Sequence, residues 1–584
     1  MNYLNPIYTE KRECQDCYKC VRNCPVKAIK VEGGYASVVP ELCILCGHCV
    51  EVCPNGAKKV RDDLSQAKQL LAMKNRVLVS LAPSFVSEFP DARAGQMIRA
   101  LRQLGFSGVS ETALGAQQVS AQAAAMLQAN PNRVLVSSAC PTVVAYLQKH
   151  EPEGSRLLAN LLSPLLTHCK MLRQSFGQDI AIVFIGPCIG KKIEAAQHPE
   201  LLDVVLTFED LRRWLEQEKI APASIVETPD DHFVPEAASE GAWYPVDGGM
   251  IAGMKSSCGV NDCSLMAFSG LGAIRKALDR LDEARPEEGL FLELLACEGG
   301  CVNGPKVARR DATVVKRRRV LRPVRQPGIA WPRQPTMDIG SDFAVSPPGR
   351  AQYPDTQIRE ALRGVGKLSA DDELNCGGCG YDTCREFAIA LIAQKAERAM
   401  CVTYMRKLAH KKANALIQKM PSAVVIVNES VRIIEFNAAF TALVGKGAAA
   451  GDAPLSLDGL MLSEVVPFAS LFHSVLKTGE DILDRDLRFQ NTILHATIFS
   501  IEKHCLVGGI MQDITKPAVR KEQVIRKARE VIQKQLATTQ QIAYLLGENA
   551  AEAEITLNSI IDSFSPPKPD EPKEDNDWRK LYRR

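Results

Sequence analysis

Sixteen of the chain's twenty cysteines fall into four sets whose spacing suits iron better than disulfides. Cys14, Cys17, Cys20 and Cys24-Pro25 form one run, and Cys43, Cys46, Cys49 and Cys53-Pro54 repeat it, each C-x2-C-x2-C-x3-C-P. Three closely spaced thiolates grip one iron–sulfur cubane, and the fourth, ahead of proline, reaches the other. The pattern assigns Cys14, Cys17, Cys20 and Cys53 to one four-iron cluster, and Cys43, Cys46, Cys49 and Cys24 to a second. Two clusters so close in sequence make a short wire for electrons.

The third set is dispersed: Cys140 in "SSACPT", Cys188 in "GPCIGKKIE", and Cys297 and Cys301 in "LACEGGCVNGP". Short β-branched runs at 76–82, 133–139 and 180–186, with helical segments such as 94–105 between them, read as buried parallel strands of an α/β domain. Cys140 and Cys188 lie just past two of these runs, at the end of a parallel sheet where ligands bind. Four thiolates are the number that holds a cubane. The fourth set, Cys376, Cys379, Cys384 and Cys401, is spaced C-x2-C-x4-C-x16-C, and residues 384–401 read as one helix returning the last ligand. Zinc is the rival for this set, and the uneven spacing favours iron–sulfur.

The elements that position these residues belong to an ordinary globular chain of 584 residues, 46% hydrophobic and 24% charged, long enough for several domains. A net charge of +3 gives no pull toward nucleic acid. "MNYLNPIYTEKRECQDC" has no apolar signal core, and no uncharged apolar run approaches the roughly 20 residues that span a bilayer. The expectation is a cytoplasmic protein with no membrane partner, in a compartment that keeps thiols reduced.

The first 310 residues resemble the iron-iron (FeFe) hydrogenase family. A two-cluster ferredoxin repeat precedes "SSACPT", "GPCIGKKIE" and "LACEGGCVNG" in the family's order, with lesser matches at "LAPSFVSE", "LRQLGFSGVSET" and "DVVLTFEDL". The resemblance implies that Cys140, Cys188, Cys297 and Cys301 hold an H-cluster. This is a four-iron cubane joined through Cys301 to a diiron unit with CO, cyanide and a bridging dithiolate. It further implies that Lys191 bonds the distal cyanide and that Pro83 and Ser84 border the proximal one.

The departures are as informative. Catalytic members have a second, proton-passing cysteine where this chain has Ala139, whose methyl neither donates nor accepts a proton. Gly186 and Leu295 replace methionines, Leu165 a glutamine, and Pro305 a glycine. This is similar to the sensory branch of the family, whose members handle H2 slowly. Glu298, Cys169, Cys258 and Cys263 are candidates for another relay, Glu194 resembles a relay carboxylate stranded by Ala139, and His168 has no visible partner.

The expected organisation is a two-cluster domain at 1–62, the H-cluster domain at 63–308, and a basic, Pro-rich linker at 309–355. A small 4Fe-4S module follows at 356–410, then an α+β domain at 417–515 resembling PAS domains through Asn437, Phe440 and "QDIT". A helix at 516–564 that dimerises or docks and a disordered tail at 565–584 complete it. The leading functional reading is an H2 sensor working with H2, protons and a ferredoxin-type electron carrier. It would pass its redox state through the PAS-like domain and C-terminal helix to a signalling protein, as a monomer or homodimer. The alternatives are a ferredoxin-linked hydrogenase with an altered proton path and a non-hydrogenase electron-transfer protein.

Overall fold

A buried strand needs neighbours for its backbone hydrogen bonds, and here they come from distant sequence. The computed structural model describes residues 5–129, 132–258, 260, 264–281, 289–308, 311–321, 333–349, 351–445, 457–515 and 525–534. They form two units, 1–405 and 406–584.

In the first unit, Val77–Leu81 lies between Gly108–Glu111 and Ala181–Gly186 in a parallel sheet, with Val204–Thr207 beyond. All four strands are buried throughout. Val134–Val136, whose "RVLVS" context duplicates that of residues 76–80, joins a different parallel sheet, beside Leu290–Leu295 and then Ser264–Ser269. What reads as one set of strands is therefore two sheets, each delivering cysteines from its strand ends.

In the N-terminal repeat, Ile7–Thr9 pairs antiparallel with Lys58–Val60, tying its ends together. The cysteine loops run into one-turn helices, Lys19–Arg22 and His48–Glu51. Gly47, which precedes the second, has φ +83°, and a Cβ there would lie 2.4 Å from Cβ of Pro305. Only glycine lets this loop approach the central domain so closely.

Two expectations are corrected. The single helix read over 384–401 stops at Ile392. Gln394 turns left-handed, Lys395 N–H bonds the Ala390 carbonyl at 2.8 Å, and the Lys395 carbonyl accepts from Val31 of the N-terminal repeat at 2.9 Å. A 3-10 turn, Arg398–Met400, then delivers Cys401. The segment read as a solvated linker is largely exposed where it is described, but it is anchored at a few points. Thr313–Val320 is a helix with Lys316 and Val320 buried, Ile339 lies in the main core, and Arg333 pairs with buried Glu240 at 2.7 Å. The stretch 322–332, most of the helix read over 516–564, the 565–584 tail and Cys263 lie outside the described residues; residues 525–534 are helical.

The second unit has a five-stranded antiparallel sheet in the order Ile433–Phe436, Ala423–Val427, Leu506–Asp513, Thr492–Glu502, Ile482–Phe489. Phe440 and Phe472 fill its core. Asn437, fully buried, opens the helix Ala438–Gly445. Its Oδ1 accepts from Phe440 and Val424 N–H, both at 2.9 Å, and its Nδ2 donates to the carbonyls of Ser422, Ile417 and Met420. Asn437→Ala removes the cap and strands buried backbone groups, so it should destabilise this unit by roughly 3–5 kcal/mol. Hydrogen exchange of the full chain, with accelerated exchange at 423–427 and 438–445, checks this.

Candidate active site

Each cysteine of the dispersed set sits where an element ends. Cys140 precedes helix Pro141–His150, with proline at its first position. Cys188 follows strand Ala181–Gly186, Cys297 follows Leu290–Leu295, and Cys301 opens the 3-10 turn Cys301–Asn303. All four line one cavity, together with Pro83, Ser84, Ala139 and Lys191. Sites far apart in sequence are thus brought together as the motifs imply.

Burial raises these thiols. Cys188 is pushed up to about 11, with Cys140 adding to the effect, and Cys297 and Cys301 stand well above the ordinary range. Thiols held protonated by burial ionise when positive charge sits among them, which suits an iron–sulfur cluster. Burial also raises Cys20, with Cys14, Cys17 and Cys53 contributing, and Cys43, with Cys24 contributing. Those neighbours cross between the two repeats, as the proline-linked cysteines should. Cys379 is raised by burial, Cys401 and Cys384, and Cys376 is exposed.

The cavity wall fits the group the cysteines imply. Ser84 Oγ is buried, lines the cavity and has no hydrogen-bond partner among the described residues, so it is available to a polar ligand. Lys191 is the one charged side chain among the described residues of the wall. Its Nζ donates to Ser163 Oγ at 3.0 Å and to the Glu194 carboxylate at 2.8 and 3.0 Å. Glu194, read as a relay carboxylate cut off by Ala139, is the buried counter-ion of Lys191.

The rest of the wall is mostly apolar. Ala139, Leu165, Leu295 and Pro305 all line it. Gly186 does not, because the space a side chain there would enter is filled by the Phe184 ring, 2.4 Å from the ideal Cβ. Phe184, itself a wall residue, thus takes over from position 186. Glu298 does not line this cavity; it borders an adjoining outer one with His48 and Glu51, which shares Cys46, Cys297 and Pro305 with the central wall. Cys169 is fully buried in the main core and Cys258 is buried too. His168 is neither exposed nor unpartnered: it is fully buried between Ser80 and Ser110. Thr112, the last residue of the "LRQLGFSGVSET" match, also lines the cavity, as does Tyr244, which nothing in the local sequence marks. Cys46 belongs both to this wall and to the second N-terminal cysteine set.

A family profile described as "Iron only hydrogenase large subunit, C-terminal domain" matches residues 75–305, a "4Fe-4S dicluster domain" matches 6–54, and an Fe-S cluster profile matches 372–403. The chain is 24% identical over 367 residues to the NADP-reducing hydrogenase subunit HndD of Solidesulfovibrio fructosivorans (50% of this chain, 62% of that one). It is 26% identical over 326 residues to iron hydrogenase 1 of Clostridium pasteurianum (46% and 57%). It thus spans about three fifths of the length of these relatives. A solved structure of the FeFe-hydrogenase HydA1 of Chlamydomonas reinhardtii is 18% identical, with a TM-score of 0.39 over 49% of this chain and 100% of that one. On the matched profile and relatives, residues 75–305 belong to the iron-only (FeFe) hydrogenase family.

Proposed function

We propose that the protein senses H2 at an H-cluster and passes its redox state through iron–sulfur clusters to the second unit. The observation that carries this reading is the composition of one cavity wall. The residues that would hold the cofactor surround it, while the position beside Cys140 carries a methyl, on Ala139, where a proton donor would stand. In this reading Cys140, Cys188, Cys297 and Cys301 hold the cubane, with Cys301 shared with a diiron unit bearing CO, cyanide and a dithiolate. Lys191 pairs with one cyanide, and Pro83 and Ser84 border the other. When bound, this group supplies reversible cleavage of H2 into protons and electrons.

Cys46 sets the ligands of an electron-transfer centre directly against the cavity. Cys379, Tyr381 and Cys401 share one core with Cys20 and Cys24, which supports electron exchange between the small module and the N-terminal pair. A ferredoxin-type carrier and the cytoplasm are the matching electron source and location. The antiparallel sheet of the second unit supports a PAS-type domain, with a signalling protein or a second copy of the chain as its output partner.

The test is the rate of H2 evolution and uptake by the loaded parent and by Ala139→Cys. General acid–base help is typically worth about a hundred- to ten-thousand-fold. The expected gain is under about tenfold, because Leu165, Leu295, Phe184 and Pro305 still line the wall and leave a restored thiol no onward path. A jump of a hundredfold or more would establish the other reading, an enzyme blocked by a single methyl.

A further inference from the structure

Ser80 and Ser110 are direct partners in the register of two neighbouring parallel strands. Strand side chains alternate between faces, so both hydroxyls point the same way. Helix Pro164–Phe176 packs there and puts His168 between them. His168 Nδ1 is 2.8 Å from Ser80 Oγ, and Nε2 is 2.8 Å from Ser110 Oγ. Ser80 Oγ is also 2.7 Å from Thr112 Oγ1, and Thr112 lines the central cavity. One line of hydrogen bonds therefore runs Ser110–His168–Ser80–Thr112, from the core to the wall. Its first three members are fully buried.

Burial keeps the imidazole neutral, drawing its pKa down to about 3. A neutral imidazole has one N–H and one bare nitrogen, so the line has two internal directions. With the proton on Nε2, His168 donates to Ser110 and accepts from Ser80. Ser80 then accepts from Thr112, whose proton points away from the cavity. With the proton on Nδ1, every hydrogen reverses. Ser110 donates to Nε2, Nδ1–H donates to Ser80, Ser80 donates to Thr112, and the Thr112 proton is left for the cavity. The two states hold the same atoms and the same number of protons, so choosing between them is a shift of population.

We propose that His168 is a positioning residue whose tautomer sets whether Thr112 offers the cavity a hydrogen-bond donor or an acceptor, and that an anionic ligand there selects the donor form. The nature of that ligand, a metal-bound cyanide, rests on the proposed function. The arrangement gives the wall a polar contact that adapts to its ligand without placing a charge in it. This suits a site whose one charged wall residue, Lys191, is already paired with Glu194.

The test is the infrared spectrum of the CO and cyanide stretches in the loaded full-length protein. Thr112→Val removes the hydroxyl and keeps the shape. Ser80→Ala breaks the line at its middle, and His168→Phe removes its source. Thr112→Val should move the cyanide bands and lower diiron loading about three- to tenfold, the worth of one neutral hydrogen bond, whereas Ser80→Ala and His168→Phe, which leave Thr112 its hydroxyl and remove only what orients it, should move the same bands by a smaller amount. The Thr112→Val/Ser80→Ala double variant should move them no further than Thr112→Val alone, since both act on one contact. If His168→Phe does not fold, Ser80→Ala carries the same prediction with the loss of one hydroxyl. Bands that move in Thr112→Val but not in Ser80→Ala would overturn the proposal, as would additive shifts or unmoved bands. A loaded parent without CO or cyanide bands would instead overturn the proposed function, and this inference with it.

Discussion

Lys191→Met should leave the cubane iron in place and strip most of the diiron unit. Nζ is the only cation in the described wall, and it is buried with no compensating water-exposed surface. An anionic ligand that loses a charged hydrogen-bond donor in such a place loses about ten- to a hundredfold in loading. The substitution also leaves Glu194 without its counter-ion, which costs roughly 3–5 kcal/mol of stability. The two effects separate in a second variant. Lys191→Met with Glu194→Gln should recover much of the stability and none of the loading. Infrared band intensity per cubane iron reports the first effect, and the melting temperature of the apo chain reports the second. Unchanged loading with unchanged cyanide frequencies would show that Lys191 serves only Glu194.

A comparable loss of stability is expected next door, from Lys192→Met. Lys192 is fully buried, the bulkiest side chain to be so. Its Nζ donates to Asp63 Oδ2 at 2.8 Å and to the Val205 carbonyl at 2.9 Å, and Asp210 lies 3.8 Å away. Asp63 also holds Arg61, and Asp210 caps the helix Phe208–Gln217 through Thr207. A methionine would leave the two carboxylates facing each other with only the more exposed Arg61 and Arg213 to balance them. The expected cost is roughly 3–5 kcal/mol, because breaking a buried pair from one side leaves a charge behind. Denaturant unfolding of the full chain should show an earlier transition for residues 1–405. Asp63→Asn, which keeps the hydrogen bond to Lys192 and removes a charge, should cost less.

The ligand cysteines were legible because their grouping is local. Eleven-residue runs, 14–24 and 43–53, carry the two N-terminal motifs, and the dispersed set stands at the ends of recognisable strands. Lys191 was legible through its distance from Cys188 in one motif. The Ser80–Thr112–His168–Ser110 line was not. Its hydrogen-bonded pairs are 32, 58 and 88 residues apart and meet only through strand register and the docking of one helix. Serine and threonine within apolar runs look like tolerated polar residues until their partners are known. Strand Ile482–Phe489 escaped for the opposite reason: as an edge strand it is mostly exposed, and "ILDRDLRF" lacks the alternation that marks a half-buried strand. Residues 333–349 are mostly exposed, as their prolines and charges suggest, and only their anchor points escaped the sequence reading. The contacts that bury Ile339 and pair Arg333 come from helices and loops more than 90 residues away.

The approach of Gly47 to Pro305 bears on how such a protein is assembled. Leu45 and Cys46, from the N-terminal repeat, form part of the cavity wall, and Gly47 seals against the turn that carries Cys301. The chamber is thus a shared vessel, completed by a segment that sequence alone would assign to a detachable electron wire. A shortened chain starting after residue 62 would keep every ligand of the dispersed set and still have an open side. In the full chain, a bulky cofactor arriving after the repeat has docked finds that side closed, so its delivery must come before docking or from another face.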